Sequence, residues 1–326
     1  MEFQLIERIR ERTAQGREDV HLGIGDDAAL VMPPAGQQIA IAIDTLVEGV
    51  HFPHGIDPAD IGWKSLAVNL SDLASMGASP AWALLALTLP KQPREQVQAF
   101  IDGFADGFAQ LAQPHRLALI GGDTTRGALT VSVAVHGFVP VGKALTRAGA
   151  RAGDVVLVTG TLGDAAAGLV LWQQGTRVDE ESGRAAYLME RLHRPTPRLS
   201  AGLALRERAS ACIDISDGLL ADLGHIAHAS GLAAEIDAPL LPLSPMLLGS
   251  FDDATAREFA LAGGDDYELC FTVPPALVAE VQGDLARMGC GATRIGRMVE
   301  GSGVRVRNAQ GEWLETGRQG WDHFAP

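Results

Sequence analysis

Six segments of this 326-residue chain place an aspartate directly after an apolar run, several with glycine beside it. They are G-I-G-D-D (23–27), A-I-D-T (42–45), N-L-S-D (69–72), G-G-D-T (121–124), D-I-S-D-G (214–218) and G-G-D-D-Y-E (263–268). An apolar run that ends in Gly and Asp reads as a buried strand or helix whose terminal turn presents a carboxylate. A fold that gathers several such ends acquires a nest of oxygen ligands, which suits Mg²⁺ held together with phosphates. The chain has no G-x-x-x-x-G-K-[ST] loop, and no G-x-G-x-x-G follows a predicted strand. Phosphate handling here would therefore rest on carboxylates and metal rather than on a lysine-bearing loop.

Acidic residues outnumber basic ones 40 to 26, a net charge of −14 that disfavours nucleic acid or an anionic membrane as the main partner. Bound divalent ions would neutralise part of that excess, and an ordinary acidic surface accounts for it equally well. The opening M-E-F-Q-L-I-E-R-I-R has the pattern of a charged amphipathic helix rather than a signal peptide. The most apolar stretch, Ala81–Leu89, is too short to span a bilayer. Cys212, Cys270 and Cys290 lie in apolar contexts without C-x-x-C spacing, which points to buried thiols in a reducing compartment. A cytoplasmic location is expected.

Apolar periodicity predicts a helix near 2–13, a short strand over Ile39–Ile43 and a long helix from Asp57-Pro58 to Met76. A strand over Ala81–Leu89, a helix over 94–112 and a strand over Leu117–Ile120 feeding G-G-D-T-T follow. Residues 128–139 alternate as a half-buried strand. The polar stretch L-T-R-A-G-A-R-A-G-D (145–154) changes the character of the chain. It sets expected domains of 1–146 and 147–326. Beyond it, strands near 154–159, 211–215 and 267–273 alternate with helices near 163–172 and 218–230, and short strands close the pattern. This mixed order predicts combined α/β and α+β layers. N-L-S-D at 69–72 and D-I-S-D at 214–217 echo each other, through two related halves or through chance in a Gly-, Ala- and Asp-rich sequence.

Any one aspartate after glycine is most simply a turn residue or helix cap, and Asp57 and Asp154 fit that role. Asp27, Asp44, Asp72, Asp123, Asp214 and Asp217 instead sit at junctions of predicted buried elements, where ionised carboxylates repel unless cations compensate. Asp72 lies inside an otherwise apolar helix and bonds nearby backbone or faces a metal. Gly121-Gly122 would let backbone approach a ligand. Ser216 and Thr124 offer hydroxyls. Arg147 forms either a surface salt bridge or a phosphate fork. Trp321, in the polar R-Q-G-W-D-H-F, is either a packing anchor or a stacking platform. His51 fits a packed loop as well as a site. No Ser/His/Asp, Cys/His or zinc spacing is present.

Nine segments, taken in order, resemble the thiamine-monophosphate kinases: G-I-G-D-D-A-A, D-T-L-V-E-G-V-H-F, N-L-S-D-L-A-S-M-G-A-x-P, I-G-G-D-T-T-R-G, L-T-R-x-G-A, V-T-G-T-L-G-D-A-A-A-G, I-D-I-S-D-G-L, G-G-D-D-Y-E-L and W-D-H-F. The resemblance runs from Gly23 almost to the end. It implies the fold of the aminoimidazole ribonucleotide synthetase superfamily: an N-terminal α+β domain whose strands pair across a homodimer, a C-terminal α/β domain, and ATP in a cleft. It assigns Mg²⁺ ligands to Asp27, Asp44, Asp72, Asp123, Asp214 and Asp217, and to Ala42 and Ile43, whose backbone carbonyls alone could serve. Gly122, Asp123, Arg147 and Ser216 resemble ATP contacts. His51, Asp265 and Trp321 resemble contacts to thiamine monophosphate. The family often has Glu where Asp265 stands, which keeps the charge and changes the reach. An aromatic ATP contact of the family falls near Gln113–His115, where no residue is assigned.

The implied reaction is phosphoryl transfer from ATP to thiamine monophosphate with several Mg²⁺ ions, by direct in-line displacement. The alternatives are another ATP-dependent synthetase of the superfamily and a metal-dependent phosphohydrolase. Selenophosphate synthetases use a reactive Cys or selenocysteine near the N-terminus, and no Cys precedes residue 212 here. A non-catalytic cation binder would concentrate its ligands in one loop, whereas these are dispersed from Asp27 to Asp217.

Overall fold

The computed structural model describes residues 2–176, 183–315 and 320. The chain divides into two compact units, Met1–Leu73 with Ala78–Gly142, and Ala74–Gly77 with Lys143–Pro326. The expected boundary, 146/147, lies four residues past the observed one at 142/143. Trp321 and the W-D-H-F segment lie outside the described residues.

The first unit runs α1 (Glu2–Thr13), β1 (Val20–Leu22), β2 (Leu30–Val31), β3 (Gln37–Val47), α2 (Pro58–Ser75), β4 (Ser79–Leu89), α3 (Arg94–Ala112), β5 (Ala118–Arg126) and β6 (Thr130–Pro140). Asp57 starts α2 as expected, because its Oδ1 accepts the N–H of Ala59 at 2.8 Å. Pro58 then occupies the first helical position, where an N–H has no helical acceptor. A four-stranded sheet has the order β3-β6-β4-β5, antiparallel except for the parallel β4–β5 pair. Val131, Val133 and Val135 of β6 and Leu85 and Leu87 of β4 are buried on one face. Leu73 of α2 lies over Gly137 on that side. The other face is open along β3, where Ile39, Ile41 and Ile43 are 40%, 66% and 66% exposed, whereas Trp82 and Phe138 on the same face are buried against Val20, Ala29 and Val31.

The second unit runs β7 (Val155–Thr159), α4 (Asp164–Gln173), α5 (Gly183–His193), α6 (Leu199–Leu205), β8 (Ala211–Asp214), α7 (Leu219–Ser230), β9 (Ala233–Asp237), α8 (Pro245–Leu248), α9 (Asp253–Ala262), β10 (Leu269–Val273), α10 (Val278–Arg287), β11 (Ala292–Val299) and β12 (Gly303–Arg307). Its six strands are ordered β12-β9-β11-β7-β10-β8, and only β12–β9 is parallel. Leu219, Leu223 and Ile226 recur along one face of α7 and join Val156, Ile213 and Ile236 of the sheet in one core. Among the described residues no helix is long and apolar enough to cross a membrane.

Three of the six aspartate segments are not loops. A-I-D-T lies within β3, N-L-S-D within α2 and G-G-D-T within β5. Ladder pairing with β6 and β4 overrides the turn signal of glycine and aspartate in β3 and β5. N-L-S-D is mid-helix whereas D-I-S-D follows a strand into a turn, so the sequence echo is not a structural repeat.

Candidate active site

In the first unit, strand register decides which aspartates share a face. Asp44 pairs with Val133, Val133 with Leu85, and Leu85 with Gly122. The next row is Thr45, Ser132, Ala86 and Asp123, with the Thr45 and Ser132 hydroxyls 2.7 Å apart. Consecutive rows face opposite sides of a sheet. Asp44 therefore belongs to the helix-covered side and Asp123 to the open side, on opposite edge strands. Neighbouring strands are spaced by about 4.8 Å, so the two edges of one chain lie roughly 14 Å apart. One ion cannot take both carboxylates from the same chain.

Asp44 and Asp72 are differently placed. Asn69 is fully buried in α2; its Oδ1 accepts the Asp44 N–H at 3.0 Å and its Nδ2 donates to the Ser65 carbonyl at 2.9 Å. Asp72 follows three residues later on the same helix face and is half-buried. The two aspartates thus flank one buried residue. Asp27 is exposed between β1 and β2, and its N–H donates to Asp26 Oδ1 at 2.9 Å. Ala42 is half-buried and Ile43 exposed in β3. His51 accepts the Val47 N–H on Nδ1 at 3.0 Å, which leaves Nε2 to carry the proton of the neutral ring. Gly122 is also required by the sheet itself. Its φ is 152°, and a Cβ there would collide with the Leu85 carbonyl of β4, so strand pairing itself requires glycine.

The second unit gathers its site residues around the end of β8. Asp214 is the last, buried residue of that strand, followed by half-buried Ser216 and Asp217. Asp222, which pattern reading had passed over, caps this turn: its Oδ2 accepts the N–H groups of Ser216, Asp217 and Gly218 at 3.0, 3.1 and 3.2 Å. Burial, and then the charges of Asp214 and Asp217, push the Asp222 carboxyl up to about 8 despite those donors. Asp265 lies alongside, its N–H donating to the Ser216 carbonyl at 2.9 Å and its Oδ1 accepting from the Tyr267 hydroxyl at 3.0 Å. Arg147 is exposed and follows Thr146, whose carbonyl accepts the Cys212 N–H of β8 at 2.9 Å. Among the described residues, no three His, Cys, Asp or Glu side chains converge to hold a metal by themselves.

Both units match known domains. The AIR synthase related protein, N-terminal domain, covers residues 25–139, and its C-terminal counterpart covers 151–308. A thiamine-monophosphate kinase of Salmonella typhimurium (strain LT2) is 48% identical over 327 residues, spanning 99% of this chain and 98% of its own. This chain belongs to the thiamine-monophosphate kinase family. The crystal structure of thiamine-monophosphate kinase from Stenotrophomonas maltophilia K279a superposes with a TM-score of 0.87 at 51% identity, over 95% of this chain and 96% of that one. AaThiL complexed with AMPPCP and TMP superposes with a TM-score of 0.79 at 33% identity, over 99% of this chain and 96% of that one.

Membership of the thiamine-monophosphate kinase family gives the arrangement its chemical frame. The second unit places Asp265, Ser216, Asp214 and Asp217 around one turn. The first unit places Asp44 beside the Asn69–Asp72 face and separates Asp123 from it. Asn69 and Asp222 were the residues that pattern reading missed. Asn69 carried a signal, a buried amide inside an apolar helix stretch. Asp222 looks in sequence like an ordinary first-turn helix acid.

Proposed function

We propose that this chain transfers the γ-phosphoryl group of ATP to the phosphate of thiamine monophosphate, yielding thiamine diphosphate and ADP. What carries this reading is coverage: a kinase holding AMPPCP and TMP aligns over 99% of the chain. The acceptor is a phosphate oxygen already anionic near neutral pH, so the reaction needs no general base. That agrees with a chain rich in carboxylates and without an acid–base constellation. The difficulty lies in bringing two polyanions together, since unit charges ~4 Å apart interact by ~4 kcal/mol at an effective dielectric of about 20.

The donor set fits Mg²⁺. Asp27, Asp44, Asp72, Asp123, Asp214 and Asp217 are hard oxygen ligands, with the Ala42 and Ile43 carbonyls as further candidates. Mg²⁺ commonly takes one or two carboxylates and completes its shell with substrate phosphates and water. When bound, Mg²⁺ offsets the repulsion between the phosphates and aligns their oxygens. In this reading Gly122 and Ser216 offer backbone and hydroxyl contacts to ATP, Asp123 adds a metal-linked contact, and Arg147 pairs with its phosphates. His51, Asp265 and Trp321 hold thiamine monophosphate, with the Asp265 carboxylate and the indole face suited to the cationic thiazolium ring.

The working form in this reading is a homodimer in the cytoplasm. The open sheet face, with Ile39, Ile41, Ile43 and Leu84, is an apolar surface that a second copy would cover. Product analysis tests the function. With ATP, Mg²⁺ and thiamine monophosphate, thiamine diphosphate and ADP should appear in equal amounts. Release of inorganic phosphate without thiamine diphosphate would favour the phosphohydrolase alternative.

A further inference from the structure

Glu268 is a completely enclosed charge of the second unit. It is fully buried and immediately follows the segment that carries Asp265. Its Oε2 accepts from Thr159 Oγ1 at 2.6 Å and from Arg198 Nε at 2.6 Å; its Oε1 accepts from Arg191 Nη2 at 2.9 Å and from Arg198 Nη2. Thr159 also receives the N–H of Leu269 at 2.8 Å, and Arg191 Nη2 reaches the Asp266 carbonyl at 3.3 Å. Gly160, at φ 57°, leaves the space that the carboxylate fills, since a Cβ there would collide with Oε1. The V-T-G motif and two distant arginines are thus built around one carboxylate.

The segment before it is conformationally unusual. Asp265 and Tyr267 have φ of 69° and 48°, a left-handed backbone that non-glycine residues adopt rarely and only where their surroundings impose it. Hydrogen bonds from Asp265 N–H to Ser216 and from Tyr267 N–H to Ile215 hold one side, at 2.9 and 2.8 Å. Gly163 N–H, donating to Asp266 Oδ2 at 2.8 Å, holds another. Glu268 closes the segment. A buried ion network is a poor source of stability compared with apolar packing, but it defines one geometry.

We propose that Glu268 is a positioning residue. Gripped by Thr159, Arg191 and Arg198, it holds residues 265–267 in the left-handed conformation that presents Asp265 to thiamine monophosphate. The inference rests on the reading of Asp265 as a substrate contact.

Gly160→Ala tests it, because the added Cβ displaces the carboxylate without removing a charge. KM for thiamine monophosphate should rise about tenfold, a scale consistent with misplacement of a binding group, while KM for ATP stays within about twofold. Glu268→Asp alone should raise the same KM. Combined with Gly160→Ala it should recover much of the loss, because the shorter side chain vacates the space the Cβ needs. If Gly160→Ala does not fold, Arg191→Lys reads the same quantity, keeping the charge and losing the guanidinium Nη2 that bonds both Glu268 and the Asp266 carbonyl. An unchanged KM for thiamine monophosphate in folded protein, or equal losses for both substrates without rescue, overturns the proposal. Asp265→Asn is measured alongside. If that variant binds thiamine monophosphate normally, the substrate-contact reading itself fails; if it binds poorly while Gly160→Ala does not, only the role of Glu268 fails.

Discussion

The side-chain carbonyl of Asn69, in α2, accepts the backbone N–H of Asp44, in β3, at 3.0 Å. β3 is an edge strand, so the helix supplies an acceptor that no neighbouring strand offers there. The other end of the same amide is tied to the Ser65 carbonyl of α2. One buried side chain thereby sets the spacing between two candidate metal ligands, Asp44 on the strand and Asp72 one turn along the helix.

Asn69→Ala should cost about 1–3 kcal/mol of stability, because the Asp44 N–H loses its buried partner. The Mg²⁺ concentration for half-maximal activity should rise as well. Denaturant unfolding and a Mg²⁺ titration on the same preparation separate the two effects. A stability loss with unchanged Mg²⁺ dependence would leave Asn69 a purely structural link.

Asp72→Asn keeps the side-chain volume and removes the charge of one proposed metal ligand. Turnover should be abolished while the circular dichroism spectrum and melting temperature stay close to those of the parent. Near-normal activity at sub-saturating Mg²⁺ would remove Asp72 from the ligand set.

Chelation of divalent metal should stop turnover, and readdition of Mg²⁺ should restore it. If transfer runs directly between two bound phosphates, as proposed, no phosphorylated protein should accumulate. Radiolabel retained on the chain after incubation with γ-labelled ATP alone would replace the direct transfer with a two-step one.

Ile41→Asp places a charge in the middle of the exposed isoleucine row of β3. The particle mass in solution, measured by light scattering, should fall from that of a dimer to that of a monomer, with activity falling alongside. An unchanged mass would mean that this face is not the dimer contact.

Asp19 accepts hydrogen bonds from Arg17 Nε at 2.8 Å, Arg17 Nη2 at 2.6 Å and Trp82 Nε1 at 3.2 Å. The Arg17 hydrogen bond, outweighing burial, holds its carboxyl below the ordinary range. A depressed carboxylate stabilises the fold fully above its unfolded pKa, about 3.9, and loses that contribution as the pH falls through the folded value. Asp19→Asn should therefore melt below the parent at neutral pH, and the gap should close in acid. The same gap at both pH values would show that the charge is not what Asp19 contributes.

Much of the architecture was legible in one dimension because its signals are local. The 94–112 helix and the alternating strand before Val139 follow from periodicity, and Asp57-Pro58 announces the start of α2. The ordered motifs carried the family, because each is a contiguous run of side chains. Single-residue roles were less accessible. G-G-D-T reads as a loop, yet β4 recruits it into a strand, and only the Leu85 carbonyl reveals why Gly122 must be glycine. Asp44 and Asp123 look equivalent in sequence, yet register sends them to opposite faces and edges of one sheet. Glu268 looks like the flank of a motif until Thr159, Arg191 and Arg198 close around it from 109, 77 and 70 residues away. The sequence alone determined which side chains are available and the local elements that bear them. Only the tertiary structure decided which of them meet, because strand pairing and buried charge pairing join residues whose separation along the chain carries no information about their distance in space.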